Sequence, residues 1–344
     1  MKVLFIRYNV GSGEAKLASA LQSQGVETHL LYSQYPEEWK LNSFNSLTFM
    51  DSGRTPVQSY WDTGTIKKLI NKIKPDVIQT SAETDNIVLE LKRLTKIPVV
   101  HLINDIFSEG FEGFVESNSE IERLAYTSAD AVINRSAYAE ELMLKKYPET
   151  IKKPKRILPC YMSKKFIPQR LPFKDSQYDK KTHIIYEGGY WNFGFRNYEE
   201  YFEALSLDND LVIDVYPVGS NIPLQTPKGV MYHTPRPFPS LLREISRYNI
   251  GYVGGSGNSN LMNTALPNKM FDYHFAGLPI AVQNFKEMAN LVKQNPDIGF
   301  VWNNIQEFLD KYKEWKDVIV EPQMKFTMEE NIKPILQLYE EVQA

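Results

Sequence analysis

Residues 266–282, LPNKMFDYHFAGLPIAV, predict a short helix that lies between a glycine-rich loop at residues 254–257 and a buried strand. Pro267 suits the start of the helix, Gly277 suits the left-handed residue after its last turn, and Pro279 prevents the helix from continuing. An apolar run precedes the loop, so the segment reads as strand, loop, helix and strand. This order is typical of a parallel α/β sheet.

The loop and helix together have the chemistry of an anion site. A glycine-rich loop exposes backbone N–H groups beside the positive end of the helix macrodipole, where a diphosphate is favoured. Gly255 and Asn268 are candidate ligands of such a group, and Lys269 adds a mobile cation. Asp272 can accept two hydrogen bonds from a ribose diol. The alternative is a core helix whose Lys269 and Asp272 form only an exposed pair three residues apart.

This segment resembles the nucleotide-sugar signature of glycosyltransferase family 4, in which Pro-Asn-Lys-apolar-apolar-acid-Tyr is followed by Ala-Gly-apolar-Pro and a strand. The resemblance implies the GT-B fold and gives Asp272 the ribose of the donor nucleotide. Many members carry a Glu eight positions before this acid, near the donor sugar. Here that position is Thr264, so the donor-sugar contacts on that side are in question.

The rest of the chain alternates short β-rich runs with amphipathic stretches, which predicts an α/β protein with two doubly wound, Rossmann-like sheets. The predicted strands are residues 3–8, 27–32, 77–79, 99–102, 131–133, 156–158, 183–186, 211–215, 230–233, 250–253, 278–282 and 299–302. Predicted helices in the first half are residues 15–24, 66–74, 86–96, 119–128 and 137–146.

A proline- and lysine-rich segment without clear periodicity separates the two halves. We therefore predict an N-terminal acceptor-side domain at residues 1–158, a linker at 159–181 and a C-terminal donor domain at 182–326. The resemblance implies that a closing helix in residues 327–344 crosses back onto the first domain. Two such domains are expected to face each other across a cleft, with ligands at the carboxyl ends of the strands.

Two further segments of the second half resemble the donor side of the same family. Gly188 and Gly189 follow a predicted strand, and Arg196 precedes an amphipathic stretch. In the family, glycines here admit the donor diphosphate and a basic residue neutralises it, although an Arg at a helix start can equally be a solvated surface residue. His233 begins a segment that resembles the strand and helix beside the nucleotide base.

The first half of the chain contains candidate site residues that rest on less specific sequence patterns. Gly11 and Gly13 follow the first predicted strand, but two glycines fall short of a dinucleotide fingerprint, so they predict either a tight turn or a loop that lines the cleft. The family often places His-Asp where this chain has Asn104 and Asp105. A carboxylate there can orient or deprotonate an acceptor hydroxyl, or it can be a helix-cap residue. His101 is predicted to be a packed strand residue.

Composition excludes several classes of protein. A net charge of -3 gives no electrostatic case for nucleic acid. The single Cys160 cannot form an internal disulfide, which indicates a reducing, cytoplasmic location. No run reaches about 18 apolar residues, so no membrane span is predicted. Basic pairs between residues 145 and 165 predict a solvated face, or peripheral contact with an anionic membrane surface.

No metal or cofactor is expected. Asp208-Asn209-Asp210 spells an acid-x-acid pattern that some metal-dependent sugar transferases use, but its place between a predicted helix and strand favours a turn. One Cys and five scattered His give no zinc spacing.

The sequence therefore predicts a glycosyltransferase that moves a sugar from a UDP or GDP donor to a hydroxyl acceptor in glycan or polysaccharide biosynthesis. The acceptor is expected to be a glycan, a lipid-linked glycan or a small molecule. Arg196 and Lys269 would stabilise the leaving diphosphate, and Asp105 would contact the acceptor. The resemblance implies retention of configuration, with the leaving phosphate assisting deprotonation. The alternatives are a nucleotide-sugar epimerase or hydrolase, and a non-catalytic binding subunit.

Overall fold

Parallel strands organise both halves of the chain. The computed structural model describes residues 1–34, 36–53, 60–109, 119–189, 198–218, 227–255 and 260–344. The chain divides into two units, one made of Met1–Lys165 with Lys325–Ala344 and the other of Phe166–Met324. The domain boundaries predicted from the sequence, at residues 158, 181 and 326, stay a prediction.

The first unit is built on a parallel sheet flanked by helices. Its described strands are β1 (Lys2–Arg7), β2 (Glu27–Tyr32), β3 (Ser46–Phe49), β4 (Val77–Ser81), β5 (Val99–Ile103), β6 (Ala131–Asn134) and β7 (Lys155–Ile157). They pair in the order β3-β2-β1-β4-β5-β6-β7. Its helices up to the second unit are α1 (Ser12–Ser23), α2 (Glu38–Leu41), α3 (Thr63–Ile73), α4 (Asp85–Leu94), α5 (Ser119–Ser128) and α6 (Ala137–Lys146).

Both faces of this sheet are buried. Successive side chains of a strand point to opposite faces, so Val3 and Phe5 of β1 join one apolar cluster while Leu4 and Ile6 join another. Burial on both sides explains why the strands read as continuous apolar runs.

The second unit repeats the arrangement. Its described strands are β8 (Thr182–Gly189), β9 (Leu211–Val218), β10 (Val230–Tyr232), β11 (Ile250–Val253), β12 (Ile280–Gln283) and β13 (Gly299–Trp302), paired in the order β10-β9-β8-β11-β12-β13. Its helices are α7 (Ser176–Asp179), α8 (Glu199–Ser206), α9 (Phe238–Ile245), α10 (Asn260–Thr264), α11 (Asn268–Phe275), α12 (Lys286–Gln294) and α13 (Ile305–Trp315). The predicted α/β class with two doubly wound parallel sheets is confirmed.

The chain then returns to the first unit. Helices α14 (Met328–Asn331) and α15 (Lys333–Gln343) belong to it, and Ile335, Leu338 and Tyr339 lie in the same apolar cluster as Val3 and Phe5. Residues from both ends of the sequence therefore share one core, as the resemblance implied.

One strand escaped the sequence analysis. The edge strand β3 has the sequence SLTF, and Ser46, Leu47 and Phe49 are exposed. An edge strand needs no buried apolar face, so β3 carries no apolar run that would distinguish it from a loop.

Helix α11 packs on the sheet through a glycine. A Cβ atom on Gly251 of β11 would lie 2.2 Å from Cδ2 of the Tyr273 ring. The Tyr273 hydroxyl in turn accepts the backbone N–H of Glu187 at 2.9 Å, which ties the helix to β8. Only a residue without a side chain permits this approach.

We expect Gly251→Ala to lower the free energy of unfolding by about 1–3 kcal/mol, because the added methyl group overpacks a filled contact. Gly251 has no positive φ angle, so the substitution adds steric crowding without backbone strain. Urea unfolding of wild type and variant would measure the difference. An unchanged midpoint and slope would contradict the close contact between β11 and Tyr273.

Candidate functional site

Helix α11 begins near the carboxyl edge of the second sheet, because its second residue, Lys269, lies beside Gly188 at the end of β8. Pro267 is its N-cap, with φ -70° and ψ 151°, and no described side chain caps the first turn. The positive end of the helix dipole is therefore left for another anionic group. Gly277 has φ 84°, which confirms the left-handed residue predicted after the helix.

Lys269 joins α11 to the end of β8. Its ammonium nitrogen lies 3.9 Å from the centroid of the Tyr186 ring. A Cβ atom on Gly188 would be 3.1 Å from the same nitrogen, and Gly188 has φ 119°. A glycine is needed there for both reasons. Two segments that lie about eighty residues apart in sequence thus place a cation beside the glycine backbone at the end of β8.

The other polar residues of α11 differ in exposure. Asp272, one turn after Lys269, exposes 3% of its surface. Asn268, at the first helical position, is half-buried, and its Oδ1 accepts no hydrogen bond from the described residues. Thr264, where the family often has Glu, is buried and donates its hydroxyl to the Leu261 carbonyl at 2.9 Å. Thr264 therefore holds the end of α10.

The loop after β11 is tied to the neighbouring strand. The backbone N–H of Gly255 donates to Oε1 of Gln283 at 3.0 Å, and Nε2 of Gln283 donates to the Tyr201 hydroxyl at 3.3 Å. A diphosphate that bound Gly255 would have to replace the Gln283 contact. Residues 256–259 of the loop lie outside the described residues.

His233 follows β10 and belongs to a hydrogen-bonded network. Its Nε2 lies 2.6 Å from Oδ1 of Asp214, and its ring stacks on Tyr216 with centroids 4.4 Å apart. Nδ1 of His183 lies 2.8 Å from the other Asp214 oxygen. Burial alone would raise the pKa of Asp214, but the two imidazoles hold it below its usual value. The ring of His233 is thereby fixed at the strand end.

The carboxyl edge of the first sheet carries buried charges. Glu14 in the first turn of α1 and Arg135 directly after β6 expose 4% and 3% of their surfaces. Asn104, after β5, joins them: its Nδ2 donates to Glu14 Oε1 at 3.0 Å, and its Oδ1 accepts from Arg135 Nε at 2.9 Å. Gly11 completes the contact, because a Cβ atom there would be 2.4 Å from Glu14 Oε2.

Arg7, the last residue of β1, is the deepest of these charges and is fully buried. Burial lowers the pKa of its guanidinium, which Glu14 partly offsets. Burial would likewise raise the pKa of Glu14, but Arg7 and Arg135 hold it below its usual value. Two guanidinium groups thus depend on one buried carboxylate. We refer to Arg7, Glu14, Asn104 and Arg135 as the charge cluster.

The remaining polar features have structural partners. Asp208 lies in a turn, where its Oδ2 accepts from the Tyr312 hydroxyl at 3.0 Å and its Oδ1 from the Asp210 N–H at 2.9 Å. Within the described residues, no group of three His, Cys, Asp or Glu side chains is arranged to hold a metal ion. His101 is fully buried as predicted, and burial lowers its pKa to about 3.

The basic pairs of the first unit are partly neutralised. Lys146 pairs with Glu109 at 2.9 Å, Arg156 with Glu341 at 3.1 Å and Lys164 with Glu330 at 2.5 Å. These pairings favour the solvated face over the membrane contact considered above. Among the described residues, none of the helices combines the length and apolar character that a bilayer crossing requires.

Solved structures share this architecture over nearly the whole chain. A glycosyltransferase from Rickettsia africae matches with a TM-score of 0.68 and 13% identity, covering 99% of this chain and 98% of that chain. HepE from Anabaena, solved in complex with UDP and glucose, matches with a TM-score of 0.66 and 12% identity over 98% and 99%. A UDP-GlcNAc 2-epimerase from Methanocaldococcus jannaschii matches with a TM-score of 0.58 and 12% identity over 98% and 100%. At these identities the likeness establishes the fold.

Comparison with sequence models of known families gives a match in the first half of the chain. Residues 15–160 match the sequence model described as Glycosyltransferase Family 4. This part of the chain is thus similar to glycosyltransferase family 4. No curated protein sequence matches the chain. The matched residues lie within the first unit, whereas the signature around Lys269 and Asp272 lies in the second.

The structure brings together part of the predicted donor site. Asn268, Lys269 and Asp272 share α11, and Lys269 reaches Gly188 of β8; Gly189 follows directly. His233 directly follows β10, which is two strands from β8. Arg196 lies outside the described residues, as does the aromatic stretch at residues 190–195.

The predicted first-unit residues meet in a different way. Gly11 and Asn104 both contact Glu14, whereas Gly13 is buried within α1. Asp105 is half-buried beside Asn104. Glu14 and Arg135 were missed by the sequence analysis. The available signal was their position, since each lies just past a strand that ends at the same edge of the sheet.

Proposed function

We propose that this chain is a glycosyltransferase that moves a sugar from a nucleotide-diphosphate sugar to a hydroxyl acceptor. The observation that carries the proposal is the placement of the Lys269 ammonium beside Gly188, at the start of a helix whose first turn has no described side-chain cap. The Lys269 ammonium, the backbone at Gly188 and the N-terminus of α11 together have the chemistry of a diphosphate-binding site. The family 4 match and the fold of solved glycosyltransferases support it.

We assign the parts of the reaction to the two units as follows. In the second unit, Asp272 holds the ribose of a UDP or GDP donor, and Lys269 with Arg196 stabilises the leaving diphosphate electrostatically. The first unit binds the acceptor, which is a glycan, a lipid-linked glycan or a small molecule of a glycan or polysaccharide pathway. Transfer is proposed to retain configuration and to need no metal ion.

The fold alone does not separate transfer from epimerisation, because an epimerase shares it. The two activities differ in their products. An epimerase changes the donor sugar without an acceptor, whereas a transferase releases nucleoside diphosphate and forms a new glycoside. A non-catalytic subunit would bind the nucleotide and release nothing.

Donor binding can be tested by thermal shift. A ligand that binds only the folded state stabilises it by about 2.7 kcal/mol at a hundredfold excess over Kd. We expect one nucleotide in a panel of UDP, GDP, ADP, CMP, dTDP and their sugar conjugates to raise the Tm of wild type. Asp272→Asn should abolish this shift, because the side-chain amide replaces one of the two acceptor oxygens that the diol needs with an NH2 donor.

The control is Asp310→Asn on α13, where an exposed carboxylate accepts a hydrogen bond from Gln306. It should keep the full shift. Because Asp272 is buried, the Tm of each variant without ligand must be compared first. No shift with any nucleotide in wild type would exclude the donor site, and an unchanged shift in Asp272→Asn would remove Asp272 from it.

A further inference from the structure

Gln283, the last residue of β12, holds a backbone donor of the predicted anion site. Its Oε1 accepts the N–H of Gly255 at 3.0 Å, and its Nε2 donates to the hydroxyl of Tyr201 on α8 at 3.3 Å. Gly255 lies in the glycine-rich loop after β11, for which a diphosphate ligand is predicted. A side-chain amide oxygen therefore occupies a position that suits an oxygen of a bound anion.

Two further donors lie at the same end of β11. A Cβ atom on Gly254 would be 2.9 Å from Gln283 Oε1 and 3.0 Å from the Tyr252 hydroxyl oxygen. The same Cβ atom would be 3.2 Å from Cζ2 of Trp302, so three side chains meet at this glycine.

The Tyr252 hydroxyl and the Trp302 indole nitrogen belong to fully buried side chains, and neither atom has a hydrogen-bond partner among the described residues. Burial raises the pKa of Tyr252, so its hydroxyl stays protonated and can donate. Buried donors without acceptors are costly. They therefore indicate a corner of the structure that the acceptor oxygen of a ligand would complete.

This corner adjoins the cation at Lys269. Strand β11 is the neighbour of β8, and the ring centroids of Tyr252 and Tyr186 lie 6.4 Å apart. The Lys269 ammonium lies 3.9 Å from the centroid of the Tyr186 ring. All of these residues belong to the second unit. Because neighbouring strands are about 4.8 Å apart, one diphosphate can contact both Lys269 and the N–H of Gly255.

We propose that Gln283 is a placeholder for the diphosphate group of the donor, and that it sets the affinity of the second unit for nucleotide by competing for the Gly255 N–H. When the diphosphate binds, one of its oxygens replaces Gln283 Oε1, and the Tyr252 hydroxyl donates to the same group. No covalent bond changes in this exchange of acceptors. The inference rests on the proposed function.

The competition can be tested by isothermal titration calorimetry on wild type, Gln283→Met and Gln283→Glu. The ligand is the member of a set of UDP, GDP, ADP and dTDP that gives wild type the largest thermal shift. The control is Gln294→Met, at an exposed position at the end of α12 in the same unit.

We expect Gln283→Met to lower the Kd about 3- to 10-fold, because the ligand no longer displaces a side-chain hydrogen bond. Gln283→Glu should raise the Kd at least about tenfold, because a carboxylate accepts the Gly255 N–H more strongly and repels the diphosphate. Opposite effects at one position indicate competition, since a supporting role would weaken binding in both variants. Gln294→Met should keep the wild-type Kd.

A Tyr252→Phe variant tests the buried hydroxyl separately. It should raise the Kd about 3- to 10-fold while the Tm without ligand stays equal or rises, because the hydroxyl has no acceptor among the described residues. Tyr178→Phe on α7 is the matched control, because Tyr178 exposes 74% of its surface. It should change neither quantity.

Other outcomes would overturn the inference in distinguishable ways. Weaker binding in Gln283→Met would mean that Gln283 supports the loop, and an unchanged Kd in both Gln283 variants would mean that the ligand does not use Gly255. Donor binding itself would stand in either case. An unchanged Kd in Tyr252→Phe would remove its hydroxyl from the site. A wild type that binds none of the four nucleotides would refute the proposed function together with this inference.

Discussion

A Lys269→Met variant should lose about 100- to 1,000-fold in kcat/KM with a nucleotide-sugar donor, because an electrostatic partner of a leaving group contributes that much when the site is preorganised. The ammonium is preorganised here: it lies 3.9 Å from the Tyr186 ring centroid and next to Gly188. Methionine keeps the unbranched apolar stem and the helix propensity of lysine. The substitution therefore removes charge with little change in packing. Steady-state kinetics with the identified donor would measure the loss.

The matched control is Lys293→Met, on the exposed face of α12 in the same unit. It should keep wild-type kinetics and Tm, which separates the loss of one particular cation from a general change in net charge. If Lys269→Met retained full activity, Lys269 would serve only to pack against Tyr186. The leaving diphosphate would then need another cation.

A Glu14→Gln variant should lower the free energy of unfolding by about 3–5 kcal/mol, the usual cost of leaving buried charges without their partner. Arg7 exposes none of its surface and Arg135 exposes 3%, and Glu14 is the carboxylate that lowers the electrostatic cost of both. Glutamine retains the shape of the side chain and can still accept from Asn104. Chemical unfolding monitored by circular dichroism would measure the difference.

The pH dependence of the free energy of unfolding gives a second test of the role of Glu14. The pKa of Glu14 is below 4.5 in the folded protein, so its contribution is present above the ordinary glutamate range and is lost as the pH falls through the folded pKa. The stability difference between wild type and Glu14→Gln should therefore shrink in acid. Glu90→Gln, which breaks an exposed pair, should change stability little at any pH. An equally stable Glu14→Gln would show that another group compensates Arg7.

The sequence predicted the fold class and the place of α11, because those depend on local signals. Apolar runs that are buried on both faces identify strands, and Pro267 with Gly277 bounded the helix to within one residue. Lys269 and Asp272 share a helix, so their proximity also follows from local spacing. The proximity of Lys269 to Gly188 does not follow from local spacing, since it depends on how α11 and β8 pack together.

The charge cluster could not be predicted from the sequence, because its contacts also depend on which strands are neighbours. Arg7 ends β1 and Glu14 follows it in α1, whereas Asn104 follows β5 and Arg135 follows β6. No short motif links these four residues. Their meeting requires the strand order, which puts β1, β4, β5 and β6 side by side. The sequence also could not show that Asp214 lies between His183 and His233. Asp214 is on β9, whereas His183 is on β8 and His233 follows β10.

The return of the chain to its first unit affects how the protein is made. Ile335, Leu338 and Tyr339 complete the cluster that holds Val3 and Phe5, yet they are synthesised after the whole of Phe166–Met324. On the ribosome, the second unit can therefore finish folding while the first still exposes part of one apolar face of its sheet. The first unit, although made earlier, is the later one to reach its final state, and its uncovered face is the surface that chaperones would have to protect during translation.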